Sequence, residues 1–278
     1  MKKLTLVAAL SCLGLAFATS ALAQPAPKPA AKPAPPKPTL SGLNPPTTQP
    51  TGTQDNTPPA GFVALFNGKD LTGWKGLLQP PLDNPYNRAK LSPEDRTKAQ
   101  ADADEKMREH WKVEDGGLAY DGHGLSLCTA KDYGDFEMWV DWKIGPKGDS
   151  GIYLRGSPQV QIWDPSNKSV GRSEFGSGAL YNNENNPRDA LVVADRPIGE
   201  WNTFFIRMVG DKVTVYLNGK LVTDNVTMEN YWARQSKLGE QPIFPAGQIE
   251  LQHHNSPLWF KNIYLKELPR SGSVGGQK

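Results

Sequence analysis

No internal disulfide can staple this chain. It has only two cysteines, Cys12 and Cys128, and the first lies in a stretch expected to be removed. The fold must therefore rest on its own core. Cys128 sits among strand-like residues in GLSLCTA and is expected to be a buried small hydrophobe rather than a nucleophile. There is no basic run interleaved with aromatics, and the formal net charge is only +2, which argues against a nucleic-acid partner. HExxH and CxxC spacings are missing, which argues against a catalytic zinc. Past the first 23 residues no apolar run approaches the roughly 20 residues of a membrane-spanning helix. The string GSGAL lacks the strand and helix that would frame a nucleophilic serine.

The N-terminus is informative. Met1-Lys2-Lys3, an apolar run from Leu4 to about Thr19, and Ala21-Leu22-Ala23 read as an export signal over 1–23, which predicts a periplasmic or extracellular protein. Residues 24–58, rich in Pro, Ala, Lys and Thr, have too few large apolar side chains to bury and read as a disordered tether. Residues 59–269 form one expected domain, and 270–278 a flexible tail. Within the domain, short strand-like runs such as DFEMWVDWKI, SGIYLR, QVQIW, KVTVYLN and GQIELQHH are bounded by Gly, Asp, Asn or Pro. That spacing predicts an all-β sandwich. Asn218-Gly219 and Gly210-Asp211 suit two-residue hairpin turns. The one strong helix signal runs from Ser92 to about His110, with Ser92 as cap and Pro93 at the first helical position. It reads as an insertion, either at the rim of a site or as a solvated surface helix.

Alternation along the strands sorts side chains by face. Phe136, Met138, Val140 and Trp142 oppose Glu137, Trp139, Asp141 and Lys143. Ile152 and Leu154 oppose Tyr153 and Arg155, while Val160 and Ile162 oppose Gln159, Gln161 and Trp163. Ile249, Leu251 and His253 oppose Gln248, Glu250, Gln252 and His254. Such a second face can simply meet water, but its mixture of aromatics with amides, carboxylates, Arg and His is what a sugar needs, with ring faces to stack and hydroxyls to pair. Asp141, Glu137, His254 and Arg155 could supply a base and a cation. Asp164, Asn167 and Glu174 could offer oxygen ligands to a divalent cation, or merely form turns, so the metal stays open.

The blocks GFVALFNGKDLTGWKG, GDFEMWVDWKI, GDSGIYLRGSPQVQIWD, GSGALYNN, GEWNTFFIRMVGDKVTVYLNG and IELQHHNSPLWFKNIYLKEL, in this order, resemble the 3-keto-disaccharide hydrolase family over nearly all of residues 61–268. The resemblance implies a concanavalin-like jelly roll of two antiparallel sheets with a sugar-binding face. It also implies cleavage of glycosides already oxidised to a ketone at C3, by proton removal at C2, elimination and hydration. On the same footing it implies His254 or Asp141 as base and Arg155, or a bound cation, at the enolate oxygen. Substrate contacts would come from Glu137, Tyr153, Gln161, Trp163, Asp164, Tyr181 and Gln252. This sequence departs from the family at Asp141 and Lys143, where Glu and Arg are common. The alternative expectation is a tethered sandwich that binds sugar without cleaving it.

Overall fold

The computed structural model describes residues 54–269; the expected signal, most of the tether and the tail lie outside the described residues. In chain order the strands are β1 (Val63–Ala64), β2 (Trp74–Gly76), β3 (Trp111–Glu114), β4 (Gly117–Tyr120), β5 (Leu127–Thr129), β6 (Phe136–Ile144), β7 (Asp149–Leu154) and β8 (Ser157–Trp163). They continue with β9 (Asn202–Val209), β10 (Lys212–Leu217), β11 (Lys220–Thr227), β12 (Glu250–Leu251) and β13 (Leu258–Glu267). The helices are α1 (Pro85–Arg88), α2 (Pro93–His110) and α3 (Tyr231–Gln235). Two sheets result: an eight-stranded one in the order β11-β10-β9-β6-β13-β4-β3, with β1 added on β13, and a five-stranded one in the order β2-β5-β12-β7-β8. The strand pairs are antiparallel, and the molecule is the expected sandwich, with two short helices beyond the single insertion that the sequence signalled.

The core lies between the sheets and comes from the apolar parity sets. Phe136, Met138, Val140 and Trp142 of β6, Ile152 and Leu154 of β7, Val160 and Ile162 of β8, and Ile249 and Leu251 are all buried. At about 1.5–3 kcal/mol for each fully buried large side chain, this set supplies the driving force that disulfides do not. Cys128 is buried as expected, and burial pushes its thiol well above the ordinary range, so it stays protonated.

The hairpins follow their turn residues. Asn218 and Gly219 both have positive φ, 50° and 80°, the pattern of a type I′ turn, and Leu217 pairs directly with Lys220. Between β7 and β8 the turn residues are Arg155 and Gly156, also both at positive φ, 55° and 73°. Arg155 is therefore not a strand residue. The alternation that put it beside Tyr153 stops at Leu154.

Helix α2 begins as its sequence predicts, with the Ser92 side chain accepting from the Asp95 N–H. It packs on the β2 edge of the small sheet, where the Asp104 Oδ1 accepts from the Gly76 N–H (2.8 Å) and Gln100 Nε2 donates to the Gly76 carbonyl (2.8 Å). A Cβ on Gly76 would lie 2.2 Å from the Ala103 carbonyl oxygen, so only glycine allows the helix this close. Gly76→Ala is expected to destabilise the chain by about 1–3 kcal/mol, read as a lower denaturant midpoint. An unchanged midpoint would show that the helix can lift off at no cost.

Candidate active site

The small sheet turns its outer face to a cleft of about 260 Å³ at its β7–β8 end, the end opposite the β2 edge that carries α2. Asp149 and Tyr153 rise from β7, Gln159, Gln161 and Trp163 from β8, and Gln252 and His254 from the segment after β12. Val170, Tyr181 and Asn182 close the cleft from loops, and Tyr231 from α3. Gly151 lies across from Gln161, and a Cβ there would press into the Gln159 side chain at 2.9–3.1 Å. The glycine thus lets Gln159 lie over the sheet.

The one acid–base pair in this cleft is His254 with Asp149, with Nδ1 to Oδ2 at 3.7 Å. Asp149 Oδ1 also accepts from Gln161 Nε2 at 2.7 Å. Burial pushes the Asp149 carboxyl above its ordinary range, partly countered by His254 and by the Gln161 hydrogen bond. The His254 side chain is 51% exposed, open to whatever enters. Gln159 Nε2 donates to Gln161 Oε1, which fixes the orientation of the second amide. Gln252 Nε2 donates to the Tyr153 hydroxyl at 3.2 Å, and burial drives the Tyr153 phenol well above its ordinary range, so it keeps its proton. Trp163 and Tyr181 meet edge to face, with centroids 5.3 Å apart, and Trp163 Nε1 is tied to the Gly176 carbonyl at 2.8 Å.

Two atoms are incomplete. Gln252 Oε1 and Asn182 Oδ1, both buried, have no hydrogen-bond partner among the described residues. An unsatisfied buried acceptor costs about 1–3 kcal/mol. Both belong to residues that line the cleft, and a hydroxylated ligand would supply the missing donors.

His254, Tyr153, Gln161, Trp163, Tyr181 and Gln252 are thus brought together as the sequence implied. Glu137, Asp141, Arg155 and Asp164 are not. Glu137 and Asp141 lie on β6, in the opposite sheet, and face away from its core. Glu137 stands 3.6 Å from Arg207 and 3.4 Å from Lys266. Asp141 accepts from Thr203 Oγ1 (2.6 Å) and from Asn262 Nδ2 (2.7 Å), fixing the irregular register of β13 around Asn262. Trp139, on the same face, packs with Phe205, Tyr216 and Tyr264 in a separate aromatic cluster. Arg155 is 2% exposed and paired with buried Asp135, and its guanidinium also donates to the Gly134 and Gly210 carbonyls. Asp164 accepts from the Lys147 and Ser166 N–H groups and the Ser166 hydroxyl, which makes it a turn former. Asn167 does likewise for Ser169, and Glu174 is exposed. Among the described residues no group of three or more His, Cys, Asp or Glu is placed to hold a metal ion.

Sequence reasoning passed over Asp149, Asn182 and Tyr231. Parity with Tyr153 could have found Asp149, two steps along β7 on the same face as Gly151. Nothing in the local pattern marks Asn182, on a loop, or Tyr231, at the start of α3.

The profile of the 3-keto-alpha-glucoside-1,2-lyase-like domain matches residues 61–266. The chain belongs to this family. A "3-keto-disaccharide hydrolase" of Bacteroides thetaiotaomicron is 24% identical over 255 residues, covering 75% of this chain and 79% of the relative. Two crystal structures of candidate glycosyl hydrolases from Parabacteroides distasonis share the fold. One, at 23% identity, covers 78% of this chain and all of its own, with a TM-score of 0.56. The other, at 26% identity, covers 76% and 86%, with a TM-score of 0.53. The match to the 3-keto-alpha-glucoside-1,2-lyase-like family takes in every cleft residue named above, from Asp149 to His254.

Glu250, on the strand between Cys128 and Tyr153, lies buried just beside this cleft. Burial pushes its carboxyl up to about 7, against a hydrogen bond from Ser126 and the Arg88 charge, which lower it, and with Asp83, which raises it. Because the folded value exceeds the unfolded one, its contribution is fully present below the ordinary carboxylate range and is lost as pH rises through about 7, a loss on the order of 3 kcal/mol. Glu250→Gln should therefore flatten stability between about pH 4.5 and 7. Denaturant midpoints that fall equally with pH in both proteins would remove Glu250 as the cause.

Proposed function

We propose that this chain cleaves glycosides that carry a ketone at C3 of the sugar, by elimination across C1–C2 followed by hydration. The observation that carries the reading is the cleft itself: a His–Asp pair, aromatic walls and two buried amide oxygens without donors, in a member of the 3-keto-alpha-glucoside-1,2-lyase-like family. The ketone acidifies the C2 hydrogen. With Nδ1 toward Asp149, His254 has Nε2 free to take that proton as the C3 oxygen becomes an enolate. The Tyr153 hydroxyl, held protonated by its surroundings, is the cleft's donor to that oxygen. Collapse of the enolate expels the C1 oxygen substituent, which leaves with a proton. Water then adds its hydroxyl to C1 and its hydrogen to C2, so the sum is hydrolysis. Gln252 and Asn182 accept from sugar hydroxyls, and Trp163 and Tyr181 line the ring. Export by residues 1–23 would place this chemistry outside the cytoplasm.

The test is product release from a 3-keto-disaccharide and from its unoxidised parent, with and without a chelator. Turnover restricted to the keto sugar is expected. Binding of both sugars with turnover of neither would leave a sugar-binding sandwich in place of an enzyme.

A further inference from the structure

The chain segments that give Asn182 and Tyr231 to the cleft border a second hollow as well. Asn185, Asn186, Glu229, Asn230 and Arg234 line a cavity of about 780 Å³, and none of these five lines the cleft. Close packing, which fixes side chains inside a core, is therefore incomplete around both segments, and directed hydrogen bonds must place Asn182 and Tyr231. Asn183 supplies two of them, donating to the Thr227 carbonyl at the end of β11 (2.8 Å) and accepting from the Glu229 N–H (3.0 Å).

The contacts to the two cleft residues themselves meet on Arg234 of α3. Its Nη2 donates to the Asn182 carbonyl at 2.7 Å, and its guanidinium lies 5.6 Å from the centre of the Tyr231 ring, within cation–π range. Nη1 donates to Glu229 Oε2 at 3.1 Å, and Nε stands 3.0 Å from Glu184 Oε1. A planar fork held at three nitrogens has one orientation. Glu229 is braced in turn, accepting from the N–H groups of Glu184, Asn185 and Asn186 at 2.7–2.9 Å. Burial opposes its charge, but these bonds hold its carboxyl below the ordinary range.

We infer that Arg234, braced by Glu229, is a positioning residue for the substrate: it sets the Asn182 backbone against α3, so that the unpartnered Asn182 Oδ1 is held where a sugar hydroxyl reaches it. The inference rests on the 3-keto-glycoside reading for its turnover arm, and its binding arm stands apart from turnover. Arg234→Met keeps the aliphatic stem and removes the donors. Glu229 retains its three backbone donors, so no bare charge is left behind and the denaturant midpoint should move little. KM on a 3-keto-disaccharide should rise roughly three- to tenfold, the worth of one hydrogen bond between neutral groups, with kcat within about twofold, the mark of lost uniform binding. Asn182→Ala should raise KM by a similar factor.

The double variant decides the point. If Arg234 acts through Asn182, the two changes together should cost no more than either alone, because residues that work as one unit are not additive. Equilibrium binding of the unoxidised parent disaccharide to wild type, both single variants and the double reads the same coupling without chemistry. If the keto sugar is not turned over while binding of the parent shows the non-additive loss, the catalytic reading fails and the role of Arg234 stands. Wild-type KM and affinity in Arg234→Met, or factors that simply multiply in the double variant, would overturn the role and leave the catalytic reading in place. So would a joint fall of kcat and denaturant midpoint, which would make Arg234 a residue of the fold. A wild-type protein that neither binds nor turns over either sugar would overturn both.

Discussion

His254→Ala is expected to lower kcat on a 3-keto-glycoside by about 10²- to 10⁴-fold, the usual worth of a positioned general base, with KM changed far less. The side chain is half exposed and its one charged partner is Asp149 at 3.7 Å, so the variant should keep its fold and its denaturant midpoint to within about 0.5 kcal/mol. Asp149→Asn should give a smaller loss. It retains an oxygen for Gln161 Nε2 but removes the negative charge that stabilises the imidazolium formed when His254 takes the C2 proton. The order of the two effects is itself diagnostic. If Asp149→Asn were crippling and His254→Ala mild, the carboxylate would be the base and the imidazole its partner. A His254→Ala enzyme within about threefold of wild-type kcat would sink the assignment.

Arg155→Met is expected to act on the fold instead. Arg155 and Asp135 are 2% and 6% exposed and paired. Asp135 Oδ1 also accepts from the Gly210 N–H, while the Arg155 guanidinium donates to the Gly210 carbonyl. The pair therefore ties the β7–β8 turn to the β9–β10 turn, and so one sheet to the other. Methionine fills comparable space but strands the Asp135 charge in the interior, which typically costs 3–5 kcal/mol. For a domain of this size that corresponds to a fall in Tm on the order of 10 °C. Turnover per folded molecule, measured well below the transition, should survive. Loss of activity with an unchanged Tm would return Arg155 to the reacting atoms.

That reversal shows where sequence reasoning stops. Alternation correctly sorted β6, β7, β8 and GQIELQ into inward and outward sets, because a strand's period of two is a local property, but it failed at His253, expected inward, whose Nδ1 instead meets Ser126 Oγ at 2.8 Å past the end of β12. It could not say that β6 belongs to one sheet and β7, β8 and β12 to the other. Glu137, Trp139 and Asp141 thus looked like neighbours of Trp163 and Gln161 while facing away on the opposite side of the molecule. Arg155 misled for a second local reason: in LRGS the turn begins at the arginine, whose positive φ is uncommon for a side chain of its size.

By itself the sequence determined the sandwich class, the core-facing residues, the Asn218-Gly219 turn, the capped helix from Pro93, and most of the cleft through Tyr153, Gln161, Trp163, Tyr181, Gln252 and His254. These follow from alternation, turn chemistry and capping, each acting within a few residues of chain, and from the ordered blocks of resemblance. Only the tertiary structure decided that Asp149 faces His254, that Asn182 and Tyr231 close the cleft, and that the Arg155 charge holds two turns together. Those relations join residues from about 20 to more than 100 positions apart, and their geometry exists only once both sheets have packed and the loops between them have a surface to cross.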